Sequence, residues 1–357
     1  MQLCTPTLTL DLDAFDRNVA RMARTIARGG KHWRPHVKSI RSPALARRLL
    51  AAGARGVTCA TLDEAKVMVE GGVDDVLVAS QVVQALEIQQ LLDLNRRARV
   101  MVAVDSLAQG LLLARYARHA GLAVPVLIEV EVGLGRAGVT PGPAVVDLAR
   151  RLAHEGGLHF EGLMAWEGHA TRVAAGGARR QAIADAVGLL TESARLCAAA
   201  SVPPGTVSCG GTGTFETTST LDGVTEIQAG GGVFGDLRCR EDFGIDLEAA
   251  LGLRASVISR PTPTRIVCNA GWKSLAVHPK PPRPSGLEGV AGMAHAASHL
   301  TIDLAGALVR PDIGDCIDLE VGYADATVFL HREIVGLRDL QAEERFTLPD
   351  TRPPPAR

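Results

Sequence analysis

The sequence predicts an α/β protein: a (β/α)8 TIM-type barrel followed by a mostly β C-terminal domain. Three observations carry that expectation. Short apolar runs alternate with helical stretches from Trp33 to Gln228, the pattern of repeated βα units. These runs are continuous rather than alternating in polarity, as expected of parallel strands covered on both faces. After Asp236 the helical stretches become rare and short apolar strands dominate, which marks a second, β-rich body.

Taken in order, Thr7–Asp11 reads as a strand that pairs with the later β domain, and Leu12–Gly29 as a helix preceding the barrel. The expected barrel strands are Trp33–Lys38, Gly56–Ala60, Asp75–Ser80, Arg99–Asp105, Val124–Glu131, His159–Trp166, Thr206–Cys209 and Val224–Gln228. Helical spacing of apolar residues falls between them, over Pro43–Ala52, Leu62–Gly71, Leu86–Asn95, Ala108–Ala120, Pro141–His154 and Arg179–Ala200. Beyond the barrel, strands are expected at Leu253–Ser259, Arg265–Asn269, Leu300–Leu304, Cys316–Val321 and Ala326–Leu330, with an irregular Pro-rich loop at His278–Ser285. The domain boundaries that follow are a barrel over 12–240, a β-rich domain from 1–11 and 241–347, and a disordered tail over 348–357.

Composition supports this and narrows the function. Hydrophobic residues make up 46% of the 357-residue chain but aromatics only 3%, so a large core must be built from Ala, Leu, Val and Ile. The formal net charge is −1, from 38 basic and 39 acidic side chains. No basic excess calls for nucleic acid, and no apolar run is long enough to span a bilayer. The seven cysteines are scattered, without metal-knuckle or redox spacing. With no signal-peptide pattern at Met1–Pro6, reduced thiols and a cytoplasmic location are expected.

The chemistry concentrates in a few stretches. Arg34-Pro35-His36-Val37-Lys38 delivers one lysine to a strand end, where barrel active sites are assembled. Two glycine-rich turns follow the expected seventh and eighth strands, Gly210-Gly211-Thr212-Gly213-Thr214 and Gly230-Gly231-Gly232. Phosphate sites in barrels form in those loops, because glycine lets backbone N–H groups approach without a Cβ and Thr212 or Thr214 can add hydroxyl donors. An amine and a phosphate cradle are the two parts needed to hold pyridoxal 5'-phosphate as a Schiff base. Each feature taken singly also has a plain reading, as a surface lysine or as tight turns.

These residues resemble the cofactor-lysine motif of the D-threonine aldolase and D-serine dehydratase family, whose members share the alanine-racemase-like, fold type III barrel. The resemblance implies that Lys38 carries pyridoxal phosphate, that His36 lies beside it, and that Gly211, Thr212, Gly213, Thr214, Gly231 and Gly232 surround its phosphate. Glu129-Val130-Glu131-Val132-Gly133-Leu134-Gly135-Arg136-Ala137-Gly138-Val139 is similar to the family's "D-x-G-x-x-R-x-G", with Glu131 for Asp. It implies that Arg136 reaches the cofactor's phenolic oxygen or the substrate carboxylate, a group suited to a guanidinium fork. Gly162-Leu163-Met164-Ala165-Trp166-Glu167-Gly168-His169 is similar to "G-x-x-x-Y-E-G-H", with Trp166 for tyrosine. There Trp166 is an aromatic wall, and His169 either packs against the ring or is a structural histidine.

The resemblance is weakest at the metal. Relatives of the aldolase type carry "P-G-H-x-D-x-T", whereas this chain reads Val321-Gly322-Tyr323-Ala324-Asp325-Ala326-Thr327. A phenol is a poor ligand beside imidazole, which leaves Asp325 as at most a weak one and a divalent metal in doubt. The expected reaction is cleavage of a β-hydroxy-D-amino acid, with Lys38, Tyr323, His169 and Arg136 as the catalytic set. Metal-free racemisation or dehydration at Cα, with Tyr323 as acid and base, stays open. A cofactor-carrying protein without turnover is the third reading, and the β-rich domain counts against it. The resemblance also implies a homodimer and a small D-amino acid as substrate.

Overall fold

The computed structural model describes residues 3–306 and 310–350. They form two compact units, one of Ala20–Gly230 and one that joins residues up to Val19 with Gly231–Asp350.

In the first unit the strands are β2 (His32–Trp33), β3 (Val57–Cys59), β4 (Asp75–Gln81), β5 (Arg99–Val104), β6 (Val124–Glu129), β7 (Leu158–Met164), β8 (Thr206–Cys209) and β9 (Glu226–Ile227). All pair in parallel in the order β2-β9-β8-β7-β6-β5-β4-β3. The ring closes where His36 bridges Thr58 and the Val37 N–H donates to the Thr58 carbonyl at 2.7 Å. Helices α2 (Pro43–Ala51), α3 (Leu62–Glu70), α4 (Ala85–Asn95), α5 (Leu107–His119), α6 (Pro143–Ala153) and α7 (Gly177–Ala199) alternate with the strands, and the short α8 (Phe215–Thr218) follows β8. Strands β5 and β6 are buried almost throughout, as their continuous apolar runs require. Leu77, Met101, Ala103, Leu127 and Met164 pack together as one aliphatic cluster, which needs no aromatic side chain.

The first barrel strand is shorter than Trp33–Lys38. Regular pairing stops at Trp33 because Pro35 has no N–H to give to a ladder. Arg34 is instead turned inward and fully buried. Its Nη1 and Nη2 donate to the Asp75 carboxylate at 2.8 and 3.1 Å, and its Nε donates to Glu226 at 2.9 Å. Glu226 also accepts from the Ser208 hydroxyl. Gly56 makes room for this guanidinium: a Cβ there would lie 2.4 Å from Arg34 Nη1. Two carboxylates on β4 and β9 thus share one arginine from the strand that closes the ring.

The second unit is a nine-stranded sheet. Its strands are β1 (Thr7–Asp11), β10 (Leu251–Thr262), β11 (Arg265–Cys268), β12 (Arg283–Ser285), β13 (Val290–His295), β14 (Leu300–Leu304), β15 (Cys316–Glu320), β16 (Glu333–Arg338) and β17 (Gln341–Thr347). As expected, β1 joins this sheet, antiparallel to β10 and parallel to β16. Helix α1 (Leu12–Arg28) places Leu12, Phe15, Val19, Met22 and Ile26 on one buried face. Its first turns belong to this unit, because Phe15 stacks near Phe234 at 6.0 Å and Asn18 donates to the carbonyls of Val233 and Glu248.

Three expectations are corrected here. Ala326–Leu330 is not a strand: Ala324–Val328 forms helix α9, whose first N–H, on Ala324, donates to the Asp236 carboxylate at 2.7 Å. The loop expected at His278–Ser285 contains β12, which pairs with β15. Strands β13, β16 and β17 are additional. The β16–β17 hairpin turns on Asp339 and Leu340, both at positive φ, rather than on the Asn-Gly or Asp-Gly pair that signals such turns. Of the tail, residues 351–357 lie outside the described residues, while Leu348 is buried and its N–H donates to the Arg332 carbonyl.

Removing Arg34 strands two carboxylates inside the barrel. We expect Arg34→Ala to cost about 3–5 kcal/mol in urea unfolding, against little change for an exposed pair such as Arg17→Ala at Glu248.

Candidate active site

The strand C-terminal ends of the barrel carry most of the residues singled out in the sequence, and the second unit carries Gly231, Gly232, Tyr323 and Asp325. Lys38 follows the ring-closing bridge at His36, in a turn where the Ile40 and Arg41 N–H groups donate to the Val37 carbonyl. The His36 N–H donates to the Gln228 carbonyl at 2.8 Å, and the Lys38 N–H faces His36 Nδ1 at 3.4 Å. Gly230 packs onto this segment so closely that a Cβ would lie 2.1 Å from the His36 carbonyl oxygen. The loop after β9 and the lysine segment are therefore locked together.

Beside Lys38 lies Glu64, a residue the sequence reading did not single out. It closes a capping box at the start of α3: the Glu64 N–H donates to Thr61 Oγ1 and the Ala60 N–H donates to the Glu64 carboxylate. Burial raises the Glu64 carboxyl above its ordinary value, while the Ala60 and Thr61 N–H groups and the charges of Lys38 and Arg41 pull it down.

The loop after β6 is organised by Glu131. Its carboxylate accepts from the N–H groups of Gly133, Gly135 and Arg136. Burial pushes this carboxyl up, yet the loop N–H groups together hold it below the usual range. The Arg136 Nη2 donates to the buried Glu129 at 3.2 Å, and Glu129 also accepts from Gln81. Arg136 is half exposed, so its fork has a carboxylate partner on one side and solvent on the other.

The loops after β7 and β8 meet directly. The Trp166 ring lies against both Gly168 and Gly211: a Cβ on Gly211 would lie 2.3 Å from Trp166 Cη2. The absent side chain at 211 is thus required by the indole. His169 packs against Gly133, where a Cβ would approach the imidazole to 2.9 Å. Its Nδ1 is buried without a hydrogen-bond partner among the described residues. Gly210 sits at φ +83°. The Gly211 N–H donates to Thr214 Oγ1, so these two are engaged within their own loop. Thr212 and Gly213 complete it, and Gly231 and Gly232 begin a 3-10 turn in the second unit.

In the second unit Tyr323 is the N-cap residue of α9 and its hydroxyl donates to Asp325 at 3.0 Å. The Arg238 guanidinium lies over the Tyr323 ring at 4.9 Å and over the Phe243 ring at 5.2 Å. Burial, then the Asp325 charge, pushes the Tyr323 phenol above its ordinary value, and Arg238 pulls the other way. Among the described residues no three His, Cys, Asp or Glu side chains converge as metal ligands.

The barrel residues fit pyridoxal phosphate in kind: a lysine after a strand end, an imidazole with an unpartnered buried nitrogen, an indole wall and a glycine loop. Trp166 packs on Gly211 and His169 packs on Gly133, and Arg136 lies in the same loop as Gly133. Glu64, Glu129, Gln81, Glu167 and Arg238 were missed. Of these, Glu129 and Glu167 lay inside recognised stretches, and their roles depend on residues far along the chain.

Residues 10–238 match the alanine racemase N-terminal domain model, and 250–337 match a serine dehydratase domain model. The chain is 32% identical to D-threonine aldolase of Arthrobacter sp over 95% of its length and 90% of the relative's. It is 34% identical to D-threo-3-hydroxyaspartate dehydratase of Delftia sp. (strain HT23) over 77% of its length and 73% of the relative's. The crystal structure of D-threonine aldolase from Filomicrobium marinum superposes with a TM-score of 0.92 at 31% identity, covering 97% of this chain and 95% of that one.

Gly211→Ala should displace the indole, lowering stability by about 1–3 kcal/mol and shifting tryptophan fluorescence. Adding Trp166→Phe should recover part of the loss. The raised Tyr323 value fixes an alkaline trend. The unfolded phenol ionises near pH 10 while the folded one stays protonated. Its contribution is therefore present below about pH 10 and lost as pH rises further. Urea melts at about pH 8 and about pH 11 should show a larger loss for the unsubstituted protein than for Tyr323→Phe.

Proposed function

The chain belongs to the D-threonine aldolase family, built on the alanine racemase type of barrel, and from that premise we propose that it is a pyridoxal-phosphate-dependent lyase. The reaction proposed is cleavage of a β-hydroxy-D-amino acid into an amino acid and an aldehyde. The observation that carries the reading is the placement of Lys38 after the ring-closing strand, on the side of the barrel where His169, Trp166 and the glycine loop also lie.

When bound, the cofactor supplies an electron sink for the pair left by the broken Cα–Cβ bond. The chain's own residues do the rest. Lys38 would hold the cofactor through its ε-amine. Trp166 and His169 wall the ring and exclude water, with His36 beside the lysine. Thr212 and Gly213, with Gly231 and Gly232, would hold the phosphate, while Gly211 and Thr214 shape the loop. Arg136 directs its free edge to a carboxylate or the phenolic oxygen. The Tyr323 hydroxyl, paired with Asp325, would hold the substrate β-hydroxyl by hydrogen bonding.

This reading assigns no tightly bound divalent metal, because a protonated phenol stands where the family motif has imidazole. Dehydration is the second reading, favoured by the similarity to the D-threo-3-hydroxyaspartate dehydratase. A homodimer is proposed from exposed Trp272, Phe329 and Leu330. The loop after Trp272 is tied to the end of α9 by the Ala276 N–H to Thr327 Oγ1 and by His331 Nε2 at the Ser274 carbonyl. A cytoplasmic location accords with the seven unpaired cysteines.

The purified enzyme should convert D-threonine to glycine and acetaldehyde. Ammonia with a 2-oxo acid would favour dehydration, and L-allothreonine, inverted at Cα alone, would favour racemisation. Lys38→Ala should lose the visible absorbance of the lysine-linked cofactor. Chelator should leave activity intact, and Tyr323→Phe should lose most turnover while keeping the absorbance. One tightly held Mn²⁺ or Zn²⁺ per chain in elemental analysis would overturn the metal-free reading.

A further inference from the structure

Glu167 is fully buried and makes no contact with solvent. Its Oε1 accepts from Thr214 Oγ1 at 2.7 Å and from Thr218 Oγ1 at 2.8 Å, and its Oε2 accepts from the Gly210 N–H at 3.2 Å. All three donors lie on the stretch that follows β8. Glu167 itself lies between Trp166 and His169 in the stretch that follows β7. One carboxylate therefore sets the position of the glycine loop relative to the two ring-shaped side chains.

The details of the loop depend on that carboxylate. Gly210 has a backbone conformation that only glycine adopts readily, at φ +83°, and its N–H is aimed at Glu167. The Thr214 hydroxyl has a single hydrogen. It lies closer to Glu167 than to the Gly211 carbonyl at 3.2 Å, so the hydrogen goes to the carboxylate and the lone pair takes the Gly211 N–H at 3.0 Å. Thr218 ends α8, so the third bond fixes the helix on which the loop runs out. Thr214 is thereby oriented toward Glu167 rather than toward an incoming anion.

We propose that Glu167 is a positioning residue that sets the affinity for the cofactor's phosphate by holding the Gly210–Thr218 loop in shape, a proposal that rests on the reading of this barrel as a pyridoxal phosphate site. Its chemistry makes the role testable. An amide at 167 has the same outline but one acceptor oxygen in place of two, so if that oxygen keeps the Gly210 N–H, the Thr214 and Thr218 hydroxyls must turn round to accept. Shape is kept, and the direction of the loop's hydrogen bonds is disturbed. A charge effect alone has the opposite sign, since removing a buried negative charge near a phosphate would tighten phosphate binding.

The experiment compares pyridoxal 5'-phosphate with unphosphorylated pyridoxal, each titrated by absorbance into apoenzyme of the unsubstituted protein and of Glu167→Gln. Pyridoxal can still reach Lys38 but ignores the phosphate loop. Glu167→Gln should raise the dissociation constant of the phosphorylated cofactor roughly ten-fold or more, the loss of a charge-assisted bond. The value for pyridoxal should stay within about two-fold, below the weakest such loss. Equal weakening of both ligands would mark Glu167 as merely structural and overturn the proposal. So would unchanged or tighter binding of the phosphorylated one. If Glu167→Gln does not fold, Thr218→Val tests the same point, because it keeps the side-chain outline and removes one donor. It should weaken the phosphorylated ligand selectively by about three-fold or more, and loss of that selectivity again overturns the proposal. A different result, no Lys38-dependent absorbance in the unsubstituted protein with either ligand, would reject the cofactor reading itself.

Discussion

The ion cluster of Arg34 with Asp75 and Glu226 is the constraint on which the rest of the barrel depends. A fully buried guanidinium tolerates no missing partner, so β4 and β9 must bring their carboxylates to it and the ring must close around it. Closure fixes the path of the next four residues. Pro35 ends regular pairing, His36 bridges to β3, and Lys38 emerges just beyond. The chemistry of the mouth is therefore set from inside the barrel, by a charge that never contacts solvent.

A second constraint operates at the mouth itself. Glycine at 133, 211 and 230 reflects crowding by neighbouring segments, which explains why so many small residues gather there. Gly211 yields to Trp166, Gly133 to His169, and Gly230 to the His36 backbone. Acidic side chains do the fastening: Glu131 gathers the N–H groups of one loop, and Glu167 gathers the donors of another. Each acts as an acceptor-only group, which orients N–H and O–H donors without offering any of its own.

The β-rich unit shows how one substitution redirects a motif. Tyr323 and Asp325 keep the spacing of the family's metal pair, but here the phenol donates to the carboxylate and is covered by Arg238. Its pKa is raised by burial and by Asp325, so the pair is organised around a proton.

The sequence by itself determined the barrel, its strand order along the chain, the β-rich second unit and the stretches that bear the candidate site. Continuous apolar runs, helical periodicity and glycine clusters are local signals, and those elements are local. It misplaced Ala326–Leu330 because the capping of α9 comes from Asp236, nearly ninety positions away, and it missed β16–β17 because the turn at Asp339 and Leu340 lacks glycine. It named Arg34 and Glu167 within motifs but gave neither a partner. Only the tertiary structure decided that Arg34 binds carboxylates from two distant strands and that Glu167 ties two loops together. The reason is physical: a buried charge is defined by the donors or acceptors that surround it, and these come from parts of the chain that only folding brings into contact.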